Sequence, residues 1–124
     1  MNDKKVLLVD DNRINLLLLT NIMDKYKIKY DLAFNGKEAY TLFSSANYDL
    51  IITDIQMPEM DGLELTRLIR NEADPKKSLI PVIGYTGSIT EESRVIYLNN
   101  GMNDFLDKPF TENDLTGVLS RVIF

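Results

Sequence analysis

An open α/β fold, in which a five-stranded parallel sheet carries five helices on its two faces, is what the sequence predicts. Three observations carry it. Short runs rich in Val, Ile and Leu alternate along the chain with segments whose apolar residues recur at helical spacing. The runs lack the strict in–out alternation of a strand with one wet face, so the sheet is expected to be covered on both sides. Strands separated by helices pair in parallel through right-handed crossovers.

Each element has its own signal in the sequence. Val6 to Val9 reads as the first strand and ends on Asp10-Asp11. Asn12 to about Tyr26 reads as the first helix, with Ile14, Leu17, Leu18 and Ile22 at helical spacing. Tyr30 to Phe34 alternates weakly and reads as the second strand. Asn35 with Glu38 three residues on starts the second helix, which sets Ala39, Leu42 and Phe43 on one face. Leu50 to Thr53 is the third strand. Asp61 with Glu64 caps the third helix, followed by Leu63, Leu65, Leu68 and Ile69. NEADPKKSL (71–79) is polar and turn-rich and reads as a loop. Pro81 to Tyr85 is the fourth strand, with proline at the first position, where a missing donor is tolerated. Thr90 opens the fourth helix, and Asn100-Gly101 is its C-cap. Asp104 to Leu106 is the fifth strand. Thr111 with Asp114 caps the fifth helix, whose Leu115, Val118, Leu119 and Val122 face inward.

Composition narrows the chemistry. The 124 residues suit one domain, 1–124, and 44% hydrophobic residues suffice for a core without staples. The chain has neither cysteine nor histidine, which excludes disulfides, thiolate nucleophiles, a Ser-His-Asp arrangement and His- or Cys-ligated metals. A net charge of −5 argues against direct nucleic-acid binding, for lack of cations to meet phosphates. The start, MNDKKVLLVDDN, carries acids inside and beside its apolar run and does not read as a signal peptide. No apolar run approaches a membrane span. A cytoplasmic protein without membrane contact, and a monomer, is expected.

In a sheet of this kind a ligand sits beyond the carboxyl ends of the strands, where strand order reverses. There the sequence places Asp10 and Asp11 after strand one, Asp54 after strand three, Thr86 after strand four and Lys108 after strand five. Two carboxylates about 4 Å apart repel by roughly 4 kcal/mol at an effective dielectric near 20. Three acids at one mouth therefore call for a cation, and hard oxygen ligands select Mg²⁺, Mn²⁺ or Ca²⁺. Acids, a lysine and a hydroxyl together resemble a phosphoryl-transfer site, in which the metal and Lys108 neutralise phosphoryl oxygens, Thr86 donates to another, and a carboxylate attacks. Asp54, on the central strand, is the expected nucleophile. Asp11 is expected to ligate the metal directly and Asp10 through water, with the Gln56 backbone carbonyl as a further ligand. Taken singly these residues have plainer roles: Asp10 and Asp11 as helix-capping acids, Asp54 as a strand-end turn residue, Lys108 as a surface lysine. Their joint placement at the ends of four strands is what speaks for a site.

VDDN (9–12), DIQMPEMDG (54–62), GYTG (84–87) and DKPF (107–110) resemble the receiver domain of two-component response regulators, in order and from Lys5 to the last helix. The resemblance implies a flavodoxin-like fold with strand order 2-1-3-4-5. It implies that Asp54 accepts a phosphoryl group from a partner's phosphohistidine with Mg²⁺ bound, Mn²⁺ being a possible substitute, and then passes it on or loses it by hydrolysis. It also implies a switch in which Thr86 moves toward the phosphoryl group and an aromatic on strand five, here Phe105, turns inward. Since Phe105 has no hydroxyl, that switch would rest on packing. Such a domain is a phosphoacceptor rather than an enzyme acting on a separate substrate. DDNRIN and DIQMPEMDG are similar to receivers attached to hybrid sensor histidine kinases, which relay to histidine phosphotransfer domains. Gly84-Tyr85 departs from the family pattern, where Ala and an aliphatic residue are commoner, and Gly87-Ser88 leaves the following loop small. An aspartate-nucleophile phosphatase is the rival, but such enzymes want a second acid where Gln56 stands. A nucleotide-binding module would need a glycine-rich phosphate loop that is missing.

A histidine kinase or phosphotransfer partner is expected to dock on the first helix and the loop after strand five. In NLLLLTN (15–21) one or two of the four consecutive leucines, Leu16 or Leu19, are expected to stay partly exposed, and these with Asn15, Pro109 and Phe110 are the expected docking residues, Pro109-Phe110 adding apolar surface. The rival face is the fourth helix, strand five and fifth helix, with Val95, Ile96 and Tyr97.

Overall fold

Chain order in the computed structural model runs β1 (Lys5–Val9), α1 (Arg13–Lys25), β2 (Lys29–Ala33), α2 (Gly36–Ser45), β3 (Leu50–Asp54), α3 (Gly62–Arg70), α4 (Pro75–Ser78), β4 (Val82–Thr86), α5 (Glu91–Asn99), β5 (Asp104–Asp107) and α6 (Glu112–Val122). The structure describes residues 3–87 and 89–122, so the expectation for Ser88 falls outside it. All pairings are parallel and the sheet order is β2-β1-β3-β4-β5, as the family resemblance implied. Strand order reverses between β1 and β3, and this places the ends of β1, β3 and β4 side by side.

Side-chain chemistry at the helix starts explains where the strands stop. Asn12 caps α1 by accepting from the amides of Ile14 and Asn15. Asn35 caps α2 through the Glu38 amide, and Glu38 reaches back to the Phe34 amide. Asp61 caps α3 through the Glu64 amide. Thr90 and Ser93 form a reciprocal capping box on α5, and Thr111 and Asp114 do the same for α6. Each such cap is worth about 0.5–2 kcal/mol. Gly101, at φ +103°, ends α5 in a conformation that other residues rarely adopt.

One helix was not expected. Within NEADPKKSL, Asp74 accepts from the Lys76 amide and Pro75 occupies the first helical turn, which together give the four-residue α4. The described residues thus hold six helices rather than five. A single turn has no room for a hydrophobic period, so periodicity could not reveal it; the Asp-Pro start signal could have.

β3 is buried along its whole length. α1 and α6 cover one face, with Leu16, Leu19, Met23, Leu115 and Leu119 packed on Val6, Leu8, Ile52, Ile83 and Tyr85. α2 and α3 cover the other, with Phe43, Leu65 and Ile69 packed on Leu7, Val9, Ile51 and Val82. Truncating one of these buried Leu or Ile side chains to Ala typically costs about 2–5 kcal/mol.

The phase of α1 differs from expectation. Leu16 is 2% exposed and Leu19 0%, whereas Ile14 is 77%, Leu17 61% and Leu18 44% exposed. Four consecutive leucines sweep about 300° of a helix, so the run itself marks no face. Ile22 and Met23 continue the Leu16–Leu19 stripe one turn on, and packing against the sheet selects that stripe. Neither Leu16 nor Leu19 is therefore surface. Phe110 is also inside, at 8% exposure, because its ring packs edge-on against Tyr85 at 6.1 Å. Pro109 is exposed, as expected, and Asn15 is partly exposed.

Candidate functional site

β1 ends by delivering Asp10 into the protein rather than to water. The Asp10 amide continues the ladder by donating to Ala33 O at 3.1 Å, and its carboxyl group is fully buried. One oxygen, Oδ1, accepts from the Asn12 amide at 2.9 Å, so the turn that starts α1 also fixes the acid. Asp11 beside it is exposed. Asp54 closes β3, and its Oδ1 accepts from the Gln56 amide at 3.3 Å. One oxygen from each of Asp10, Asp11 and Asp54 can be chosen so that all lie within 4.8 Å of one another.

The loop behind Asp54 is closed by a glycine. Gly62 N donates to Ile55 O at 2.9 Å, and a Cβ on Gly62 would stand 2.6 Å from the Asp54 carbonyl oxygen. No side chain fits there, which is why the turn that starts at Pro58 ends in Asp61-Gly62.

Lys108 reaches the acids from β5. Its Nζ lies 3.3 Å from Asp54 Oδ2 and 4.0 Å from Asp10 Oδ2. Its amide donates to Thr86 O at 2.8 Å, which ties the end of β5 to the end of β4, and the Lys108–Pro109 peptide bond is cis. Thr86, the last residue of β4, is buried and in register with Asp107 of β5. Phe105 is buried on the α2–α3 face, with its ring 5.9 Å from Tyr97 and the Arg94 guanidinium 5.3 Å from its centroid.

Burial and charge push the two inner acids apart. Burial, then the charge of Asp10, raises the Asp54 pKa to about 6 against the pull of Lys108. Burial also acts to raise Asp10, but hydrogen bonds from Tyr85, Asn12 and Asn15 and the charge of Lys108 outweigh it and hold that carboxyl below its usual range. Asp10 is thus the settled anion and Asp54 the strained one. An all-oxygen donor set with surplus negative charge suits a hard divalent cation. The three acids thus lie within 4.8 Å of one another with the Lys108 ammonium against Asp54, and Thr86 meets Lys108 through its backbone carbonyl.

A profile described as the response regulator receiver domain matches residues 6–120. The chain belongs to this family. Among curated relatives, this receiver domain is 39% identical to the transcription factor SKN7 of Candida albicans over 94% of its own length and 20% of that protein's. It is 34% identical to the Escherichia coli aerobic respiration control sensor protein ArcB over 94% of its length and 15% of ArcB's. The chain therefore spans a fifth or less of these relatives. Among solved structures, Vibrio cholerae chemotaxis protein CheY4 superposes with a TM-score of 0.91 at 28% identity, covering 97% of this chain and 98% of that one. The receiver domain of the Pseudomonas aeruginosa sensor histidine kinase PA1611, solved with magnesium coordinated in its active-site cleft, gives 0.85 at 30% identity, covering 95% of each chain. The Saccharomyces cerevisiae Ssk1 receiver domain, co-crystallised with the histidine phosphotransfer protein Ypd1, heads a match of 0.82 at 29% identity, covering 97% of this chain and 92% of that one.

One member of the site was missed by sequence reasoning. Tyr85, read as a strand residue and a departure from the family pattern but given no part in the site, is fully buried and donates its hydroxyl to Asp10 Oδ2 at 2.6 Å. The available signal was a phenol at the carboxyl end of a strand buried on both faces, where the hydroxyl must find an acceptor. Among the described residues no buried side-chain N or O atom is left without a hydrogen-bond partner.

Proposed function

We propose that this receiver domain accepts a phosphoryl group onto Asp54 from a phosphohistidine on a partner protein. The observation that carries this is the buried Asp54 carboxylate at the end of the central strand, with Lys108 Nζ at 3.3 Å and the oxygens of Asp10 and Asp11 beside it. An Asp54 oxygen forms the new bond to phosphorus as the P–N bond to the partner's imidazole breaks. The ring nitrogen leaves with the electron pair, and the product is an acyl phosphate. Lys108 supplies positive charge to the phosphoryl oxygens and Thr86 a hydroxyl donor. Asp10, Asp11, Asp54 and the Gln56 carbonyl would hold Mg²⁺, with Mn²⁺ as a substitute; the bound cation supplies charge neutralisation for the incoming group. The domain then relays the group or loses it to water. Its chemistry is that of a signalling phosphoacceptor, without turnover of a separate substrate.

Occupation of the site is proposed to switch the domain through Thr86 and through repacking of Phe105, whose ring is already turned inward against Tyr97 rather than waiting outside. Thr86 is the last residue of β4, and Phe105 on β5 lies in register with Gly84 on β4, so a shift of one strand end is felt by the other. The partner, a histidine kinase or histidine phosphotransfer domain, would dock across the mouth on the exposed stripe of α1, Ile14, Leu17 and Leu18, beside Asn15 and Pro109. The exposure of that stripe supports this, as does the phosphotransfer protein bound to the yeast neighbour.

Incubation with acetyl phosphate, with and without Mg²⁺, tests the function by intact mass. One phosphoryl group should appear only with metal present, and Asp54→Ala should abolish it. Turnover of a stable phosphomonoester without acyl phosphate formation would point to a phosphatase instead.

A further inference from the structure

Two buried carboxylates, Asp10 and Asp54, face one ammonium. Lys108 Nζ stands 3.3 Å from Asp54 Oδ2 and 4.0 Å from Asp10 Oδ2, so Coulomb attraction alone does not settle which acid it serves. Tyr85 settles it. Its hydroxyl donates to Asp10 Oδ2 at 2.6 Å, and Asp10 Oδ1 already accepts from the Asn12 amide. Both oxygens of Asp10 thus have a donor without Lys108, and the ammonium is left to Asp54.

The reach is unusual. Tyr85 is on β4 and Asp10 follows β1, with β3 between them. Strands in a sheet lie about 4.8 Å apart, so the phenol crosses under a whole strand to touch an acid roughly two spacings away. An aliphatic side chain could not make that contact. The ring is held by the edge contact with Phe110, and Lys108 Nζ sits 4.8 Å from its centroid. A phenol donates one proton, and here it is committed to the acid rather than to the Val9 carbonyl, which lies at 3.4 Å.

We propose that Tyr85 is a positioning residue of the phosphoacceptor site, whose hydroxyl holds Asp10 for the metal and keeps Lys108 on Asp54. The proposal rests on the phosphoacceptor role argued above. Without the hydroxyl, Asp10 Oδ2 draws Lys108 into the space where a cation would bind. Metal affinity falls for two reasons: a ligand loses its orienting partner, and an ammonium competes for the acid. Removing an orienting partner of a metal ligand typically costs 10–100-fold in affinity.

The test compares wild type with Tyr85→Phe, which keeps the ring and its packing. Mg²⁺ is titrated into each ¹⁵N-labelled protein and followed through the Asp11, Asp54 and Gln56 amides. Phosphorylation by acetyl phosphate is then timed at saturating Mg²⁺. The expected result is a Kd raised about tenfold or more in Tyr85→Phe, and a loss of phosphorylation rate at low Mg²⁺ that is reversed as Mg²⁺ approaches saturation. A purely packing role would move the urea midpoint and leave the Kd alone. A Kd within twofold of wild type overturns the proposal, and so does a tenfold slower rate that saturating Mg²⁺ fails to restore. Wild type that neither binds Mg²⁺ nor gains a phosphoryl group would overturn the phosphoacceptor role itself, an outcome distinct from a functional wild type with an indifferent Tyr85→Phe.

Discussion

Asp54 is held in a state that the apo protein disfavours, and this has a consequence that can be measured at one residue. Its folded pKa is about 6 against an ordinary value of 3.8, so between those two pH values the folded state binds more protons than the unfolded state. Stability contributed by this group therefore falls as pH rises through that window, and the deficit is complete above about pH 6. At about 1.4 kcal/mol per pKa unit the deficit is at most about 3 kcal/mol. Asp54→Asn should accordingly be more stable than wild type in EDTA at pH 7.5, by about 1–3 kcal/mol in urea unfolding. The two proteins should converge toward pH 4. Asp10 runs the other way: its lowered pKa contributes stability that is lost as pH falls. Lys108 tests the same balance from the cationic side. Lys108→Ala should leave the fold intact, since the side chain lies at the mouth, and slow phosphorylation by acetyl phosphate on the order of 10²-fold, the usual loss for one charge-stabilising donor. A rate within threefold of wild type would remove Lys108 from the chemistry.

Single elements differ in how firmly they are held, and two of them yield predictions. α5 buries no side chain fully, and Val95, Ile96 and Leu98 on it are more than two-fifths exposed. α1 buries five residues. Amides of α5 should therefore exchange with solvent faster than those of α1, through local opening that the rest of the fold does not share. Equal protection in the two helices would contradict this. The exposed stripe on α1 is apolar without being core, so Leu17→Glu should leave the urea midpoint within about 0.5 kcal/mol of wild type. The same change should weaken transfer from a phosphotransfer partner tenfold or more while phosphorylation by acetyl phosphate is unaffected. Leu19→Glu on the opposite side of the same leucine run should unfold the protein.

Across the whole molecule, charge at the mouth couples the site to global stability. Any cation that binds the folded but not the unfolded chain stabilises by RT ln(1 + [L]/Kd), about 2.7 kcal/mol at a hundredfold excess over Kd. Mg²⁺ should raise the thermal midpoint of wild type, and replacing Asp11 with Asn should remove most of that rise. A midpoint indifferent to Mg²⁺ would mean that the three acids do not gather a cation. No helix among the described residues is long and apolar enough to cross a membrane.

Much of this was legible in the residues themselves. Strand ends and helix caps are short-range chemistry, so Asn35-Glu38, Asp61-Glu64, Thr90 and Thr111-Asp114 announced their helices, and Asp10, Asp11, Asp54, Thr86 and Lys108 could be assigned to one mouth from topology. Three things needed the assembled fold. The leucine run of α1 has no intrinsic phase, and only contact with the sheet chose Leu16 and Leu19 over Ile14, Leu17 and Leu18. Gly84 looked like a mere departure from the family pattern, yet a Cβ there would meet Met102 Sδ at 2.8 Å and Ile55 Cδ1 at 2.9 Å, space claimed by residues far away in the chain. Tyr85 and Asp10 are 75 positions apart, and their bond exists because parallel strands set β4 two places from β1. Local pattern determines which elements form and where they end; which side chains meet is decided by packing between elements, since that depends on distances the linear order does not contain.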